Sequence, residues 1–321
     1  MSLFPSKPPE EFGFQDILYE KKDLVATITL NRPQAYNAYT TNTLKELIAA
    51  FTDAASDDQV GVIVYTGSGD KAFCTGGDVK EYAEVYTQTP RDYWKYMGLF
   101  SGYIEAIVRT GKLTIARLNG MAVGGGNESQ LACDLAVMAD DTFISQVGTS
   151  VGSVACGGAT QWLPLLVGDR RAREILFLNQ RIDAQKALDW GLVNRVYPRD
   201  ELDAGVDELV QIGLDKFPEC TRYTKTQLNY WKDLSWYGTI GHARDWLTTH
   251  FTSLEPYEGM TAFVEKRPAR YRELREMAGE GKSVEFLWGP YRHTCAECGA
   301  KGIPSEFSHC GACGAELTGE D

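Results

Sequence analysis

The sequence predicts an α/β core, a helical C-terminal region and a small cysteine-rich module, on three observations. Short apolar runs bounded by glycine turns, at 60–65 (VGVIVY) and 113–119 (LTIARLN), alternate with stretches of helical period, as in layered strands and helices. From Leu202 to about Met277 the pattern is helical throughout. Four of the eight cysteines fall in two close pairs near the C-terminus.

Taken in order, residues 1–16 carry Pro5, Pro8 and Pro9 and read as a flexible lead-in without the apolar centre of a signal peptide. Residues 17–30 alternate as two strands of a hairpin, with charged Glu20 to Asp23 as its turn. Leu44, Leu47, Ile48 and Phe51 give 40–55 a helical period, with Thr40 or Thr41 as its cap. Strand 60–65, a helix within 86–108, strand 113–119, a helix opening near Glu128 and strand 135–138 follow. Helices at 169–178 and 183–190 and a turn and short strand from Gly191 complete a core over 17–200. The helical region spans 201–278, a Gly- and Pro-bearing linker 279–293, and the cysteine module 294–317. The last residues, 318–321, are polar and read as mobile.

Composition is that of a globular protein, with 43% hydrophobic and 24% charged residues. The net charge of −12 argues against non-specific nucleic-acid binding and against docking on anionic membranes. No stretch approaches the roughly 18 apolar residues of a membrane helix. Without an export signal, clustered cysteines favour a metal over disulfides, and the chain reads as cytoplasmic.

Two glycine clusters carry the chemistry. Lys71-Ala-Phe-Cys-Thr-Gly-Gly-Asp78 follows the first buried strand, and Asn119-Gly-Met-Ala-Val-Gly-Gly-Gly-Asn-Glu128 follows the next and opens a helix. Each puts backbone N–H groups at a strand end, where glycine permits close approach. A helix N-terminus adds positive potential. Two such amides aimed at one point would stabilise an oxyanion. Either cluster by itself is equally well a tight turn without chemistry.

The pair, together with Asn31-Arg32-Pro33, Asn37-Ala38, Ala132-Cys-Asp134, Gly157-Gly158-Ala-Thr-Gln161, Ala187-Leu-x-x-Gly-Leu-Val-Asn194 and Glu258-Gly-Met, resembles the crotonase (enoyl-CoA hydratase/isomerase) superfamily from about Ile17 to Arg270. That resemblance implies a ClpP/crotonase-like spiral of ββα turns with a helical tail, assembled as trimers or hexamers, acting on acyl-coenzyme A. It implies oxyanion amides at Gly77 and Gly125, and a coenzyme A path along Gly77, Asp78, Val79 and Lys80. It makes Glu128 the catalytic carboxylate, although a carboxylate at a helix start is also a plain dipole partner. The hydratases' second carboxylate would fall at Gly148, which leaves two-glutamate hydration unsupported. Asp78 and Asp134 read as turn-fixing residues.

Gln146-Val-Gly-Thr-Ser-Val-Gly-Ser153 is similar to two subgroups acting on ring-bearing thioesters, the dihydroxynaphthoyl-CoA synthases and the 6-oxocyclohex-1-ene-1-carbonyl-CoA hydrolases. Asn37-Ala-Tyr-Thr-Thr41, Lys80-Glu-Tyr-Ala-Glu84 and the presence of Glu128 favour the hydrolases. The expected activity is therefore water addition and ring C–C cleavage on a cyclic oxo-enoyl-CoA. An ordinary enoyl-CoA hydratase or isomerase, a synthase-like cyclase, and a non-enzymatic scaffold recruiting partners through its cysteine module are the competing readings. Thr149, Ser150 and Ser153 would orient water or equally bond their own loop. Tyr82, Tyr86, Tyr93, Trp94 and Tyr96 would select a ring or simply pack. Cys74 and Cys156 read as structural, with no histidine nearby in sequence to activate them.

Cys295-Ala-Glu-Cys298 and Cys310-Gly-Ala-Cys313, each followed by glycine, form a zinc-ribbon pattern of four thiolates and a closed, structural site. Two disulfides or an iron site are the alternatives.

Overall fold

A computed structural model describes residues 5–317. The expected lead-in lies partly outside that range, at 1–4, and so does the polar end at 318–321. Among residues 5–16, Pro9–Phe12 makes one 3-10 turn, and Phe12 stacks on Phe14 at 5.0 Å and packs edge-on against Tyr19. No described helix is long and apolar enough to cross a membrane.

β1 (Ile17–Lys22) and β2 (Val25–Leu30) pair as an antiparallel hairpin. Its turn is at Asp23 and Leu24, both left-handed, rather than at Glu20 to Asp23. The charged segment stays in the strand because Lys21 ion-pairs with Asp53 at 2.8 Å and Asp57 at 2.7 Å. Those aspartates belong to or follow α1 (Thr41–Ser56), whose first turn is closed by a reciprocal Thr40–Thr43 capping box.

The chain then winds through β3 (Val62–Gly67), β4 (Ala72–Cys74), α2 (Val79–Glu81) with a π turn over Tyr82–Tyr86, and α3 (Pro90–Val108). The next turn is β5 (Leu113–Leu118), β6 (Met121–Val123) and α4 (Gly125–Ala132). After it come β7 (Leu135–Ala139), β8 (Phe143–Ser145), α5 (Ala159–Val167), α6 (Asp169–Leu178), β9 (Ile182–Asp183), α7 (Ala184–Asp189) and β10 (Arg195–Tyr197). Each turn gives one strand to each of two sheets, ordered β1-β2-β3-β5-β7-β10 and β4-β6-β8-β9. Within both, β3, β5 and β7, and likewise β4, β6 and β8, run parallel. This is the spiral of ββα turns that the resemblance implies. Its second sheet escaped the sequence reading because strands of three residues carry no period-2 signal, and α5 was missed because its apolar residues nearly surround it.

Side-chain amides knit the corners of the spiral. Asn37 Nδ2 donates to the carbonyls of Ser68 (3.0 Å) and Ala72 (2.8 Å). Asn119 Oδ1 accepts from Gly67 N–H at 3.1 Å while its Nδ2 donates to Gly69 C=O at 2.7 Å. Both asparagines are buried, so these bonds replace water that cannot enter.

The helical region comprises α8 (Leu202–Leu214), α9 (Pro218–Tyr237), α10 (Ile240–His250), α11 (Leu254–Val264) and α12 (Tyr271–Gly279). α8 covers β3, β5 and β7 with Leu202, Val206 and Val210. α10 packs along α3. The C-terminal module is a hairpin of β11 (Tyr291–Thr294) and β12 (Lys301–Pro304), with a core of only Cys295, Ile303 and Cys310.

Gly126 lets α4 start against β4: a Cβ there would lie 2.0 Å from the Cys74 carbonyl oxygen. Backbone cannot yield as a side chain would, so Gly126→Ala is expected to destabilise by about 2–3 kcal/mol in urea unfolding. An unchanged midpoint would show that the two segments separate freely.

Candidate active site and cysteine cluster

The two glycine turns meet at one cleft. The first runs from β4 through Gly76 and Gly77 into α2; the second runs from β6 through Gly124 into α4. Gly76 (φ 91°) and Gly124 (φ 55°) adopt left-handed torsions that side chains resist. The turns come so close that a Cβ on Gly76 would be 2.9 Å from the Gly125 nitrogen. Around them the peptide groups are paired: Tyr39 N–H donates to Gly76 C=O and Asp78 N–H to Tyr39 C=O, both at 2.9 Å. The N–H groups of Gly77 and Gly125 donate no hydrogen bond among the described residues. Gly125 is the first residue of α4, where amides have no intrahelical acceptor. Both glycines line the cleft.

Tyrosines press on both glycines. A Cβ on Gly77 would be 1.6 Å from the Tyr82 hydroxyl, and one on Gly125 would be 1.8 Å from the Tyr39 hydroxyl. Any side chain at either position would displace an aromatic ring.

Glu128, one turn into α4, lines the same cleft and is 3% exposed. Its Oε1 accepts from Gly157 N–H at 2.6 Å and Ala159 N–H at 3.2 Å, which leaves Oε2 without a protein donor among the described residues. Burial pushes the carboxyl up to about 7, against the opposing pull of the Ala159 and Gly157 amides. Such a group exchanges a proton readily near neutral pH.

The remaining expected residues divide. Val79 lines the cleft; Asp78 and Lys80 do not. Asp78 accepts from Arg32 Nη2 at 3.1 Å and caps α2 through Lys80 N–H, also at 3.1 Å. Lys80 reaches into solvent beside Glu84. Asp134 is structural, bonded to Thr114 and to Lys225 Nζ, each at 2.8 Å. Gly148 does line the cleft but carries no carboxylate, and a Cβ there would make a tight contact, 3.0 Å from the Ser153 carbonyl oxygen. Glu128 is the only acidic residue among the described cleft residues. Thr149 and Ser150 are turned to the carbonyls of Leu176 and Val147 and do not line the cleft, whereas Ser153 does. Tyr82 and Tyr93 line it, Tyr86 and Tyr96 pack behind it, and Trp94 is exposed beneath the Arg244 guanidinium. Cys156 also lines it, with burial raising its thiol well above the usual range and no histidine among the cleft residues. Tyr39, Met97, Phe100, Val147 and Met260 also line it. Sequence analysis assigned none of them to the site because they come from four separate segments; Tyr39, Val147 and Met260 carried a local signal only as members of the Asn37-Ala-Tyr, Gln146-Val-Gly and Glu258-Gly-Met motifs.

The four cysteine sulfurs of the C-terminal module all lie within 4.8 Å of one another. Cys295 to Cys313 is 3.6 Å and Cys298 to Cys310 is 3.7 Å. A tetrahedron of thiolates about 2.3 Å from a central ion has edges of about 3.8 Å. A disulfide needs about 2.05 Å. The cluster can hold a metal ion.

The enoyl-CoA hydratase/isomerase family profile matches residues 20–274. The chain belongs to that family and is an enzyme of it. Over 173 residues it is 45% identical to the 6-oxocyclohex-1-ene-1-carbonyl-CoA hydrolase of Geobacter metallireducens. That alignment spans 54% of this chain and 45% of the relative, so the chain covers less than half of the relative's length. An enoyl-CoA hydratase structure from Mycobacterium avium subsp. paratuberculosis superposes with a TM-score of 0.73 at 26% identity, over 80% of this chain and 98% of that one. One from Bacillus anthracis gives 0.64 at 30% identity, over 80% and 99%.

A carboxyl raised on folding contributes stability that is full below its unfolded value and is lost as pH climbs through about 7. Glu128→Gln removes that loss. Relative to the unmodified protein it is expected to gain on the order of 3 kcal/mol between pH 5 and pH 8. Parallel stability–pH curves for the two proteins would show that Glu128 is ionised without penalty.

Proposed function

We propose that this chain adds water to a cyclic oxo-enoyl-CoA thioester and then opens its ring. The observation that carries the reading is the pair of unpartnered N–H groups, from Gly77 and Gly125, on one cleft with the single carboxylate Glu128. The thioester oxygen would accept from both amides, each good donor contributing about 3–4 kcal/mol as charge develops there. Glu128 takes a proton from water as that water's oxygen bonds to the β-carbon of the conjugated double bond. The displaced electron pair moves to the thioester oxygen, and the enolate then takes a proton at the α-carbon. A second water adds to the ring ketone. The second water gives a proton to Glu128 as it adds. The bond between the α-carbon and the ketone carbon then breaks, its electrons pass to the thioester as an enolate, and the α-carbon takes the proton back from Glu128. The ketone carbon becomes a carboxyl group at the far end of the opened chain, which loses its proton to solvent. One unpaired carboxylate near neutral pH suits successive proton transfers better than the two-glutamate scheme, for which Gly148 leaves no partner. The likeness to the Geobacter hydrolase supports the ring substrate.

The catalytic body would be 17–278, with 279–293 linking it to the module at 294–317. Apolar side chains exposed on α9, among them Leu228 and Trp231, support assembly into trimers or hexamers. For the module we infer zinc, held by Cys295, Cys298, Cys310 and Cys313 as a closed structural site, because four thiolates with no open position suit that ion.

Mass spectrometry on a panel of acyl-CoA thioesters tests the activity. A gain of two waters on the oxo-enoyl ring is expected, with Glu128→Gln slower by roughly 100-fold or more. Turnover of crotonyl-CoA without any change in ring thioesters would replace the proposal with ordinary hydration. Elemental analysis of the purified chain should find about one zinc per chain; iron, or no metal, would overturn that assignment.

A further inference from the structure

We propose that Tyr39 is a specificity-determining residue of this cleft, its hydroxyl donating a hydrogen bond to an oxygen that the acyl group carries beyond the thioester carbonyl. The inference rests on the proposed function and names what its pocket recognises.

The Tyr39 ring is 2% exposed and stacks on Phe100 with centroids 5.6 Å apart. Its hydroxyl is therefore held in place, pressed against the α-carbon of Gly125, where the thioester end of a substrate would lie. The neighbouring phenols are committed. Tyr82 bonds Tyr96 at 2.6 Å, Tyr65 bonds Tyr103 at 2.5 Å, and Tyr86 bonds Thr41 at 2.5 Å. Tyr39 has no hydrogen-bond partner among the described residues. Only Asn127 Nδ2 is both fully enclosed and partnerless there, so the Tyr39 oxygen opens onto the cleft that it lines.

A buried hydroxyl facing a cleft is satisfied by water or by ligand. A hydrocarbon acyl group would expel the water and leave the phenol unpaired. An acyl group with an oxygen on the ring atom next to the thioester-bearing carbon would replace the lost bond. A pocket that contributes a fixed polar group in this way rejects the analogue lacking the matching atom far more strongly than an apolar wall does. Tyr93 also lines the cleft without a partner, but it is fixed face to face on Phe251 at 3.9 Å rather than against either glycine.

Binding of two inert thioesters of similar shape, 2-methoxybenzoyl-CoA and 2-ethylbenzoyl-CoA, separates recognition from chemistry. The unmodified protein is expected to bind the methoxy compound tenfold or more tightly, and Tyr39→Phe to bring the ratio of affinities close to one. A ratio near one in the unmodified protein, or a ratio that Tyr39→Phe leaves unchanged, would overturn the proposal. Should Tyr39→Phe fail to fold, judged by its melting transition, the ratio in the unmodified protein decides by itself. If neither thioester binds, the failure is that of the acyl-CoA reading; equal binding removes only the role of Tyr39.

Discussion

The meeting of the β4–α2 turn with the start of α4 is the constraint on which the rest of the site depends. Two backbone segments from successive turns of the spiral approach within van der Waals contact, and glycine is required on both sides of the contact. The approach is possible because Asn37 and Asn119 tie adjacent corners through buried amide bonds, so the strand ends cannot drift apart. It leaves the amides of Gly77 and Gly125 without acceptors in a region where nearly every other buried polar group is paired. Donors fixed in this way need no reorganisation when charge develops in front of them.

Glu128 gains its character from the same contact. α4 starts against β4, which drives the carboxyl one turn later into the interior, and burial favours the protonated form. The Gly157 and Ala159 amides hold one oxygen and pull the other way. The balance falls near neutrality, with the second oxygen left uncommitted. Had a carboxylate stood at Gly148, the two charges would have shared a small cleft and pushed each other's proton affinity apart.

The C-terminal module is built on another principle. The spiral is held by extensive apolar clusters between sheets and helices. The module buries two cysteines and one isoleucine, too little apolar surface to fold a segment of its length. Its four sulfurs stand instead at the spacing of a metal tetrahedron.

Much of this was legible in the residues. The glycine clusters marked the two turns, a threonine cap at Thr40 or Thr41 marked α1, and Cys-x-x-Cys spacing marked the module, because each is a local pattern whose physical cause lies within a few residues. The three-residue strands of the second sheet, the bonding of Thr149 to Leu176 and Asn179 and of Ser150 to its own loop, and the positions of Asp78 and Lys80 outside the cleft were not legible. Nor was the unpaired hydroxyl of Tyr39. Each depends on which distant segments become neighbours. The sequence by itself determined which backbone could bend tightly and which side chains could carry a proton or a metal. Only the tertiary structure decided which of those groups lost their solvent, because burial and pairing are properties of the assembled layers rather than of any single stretch of chain.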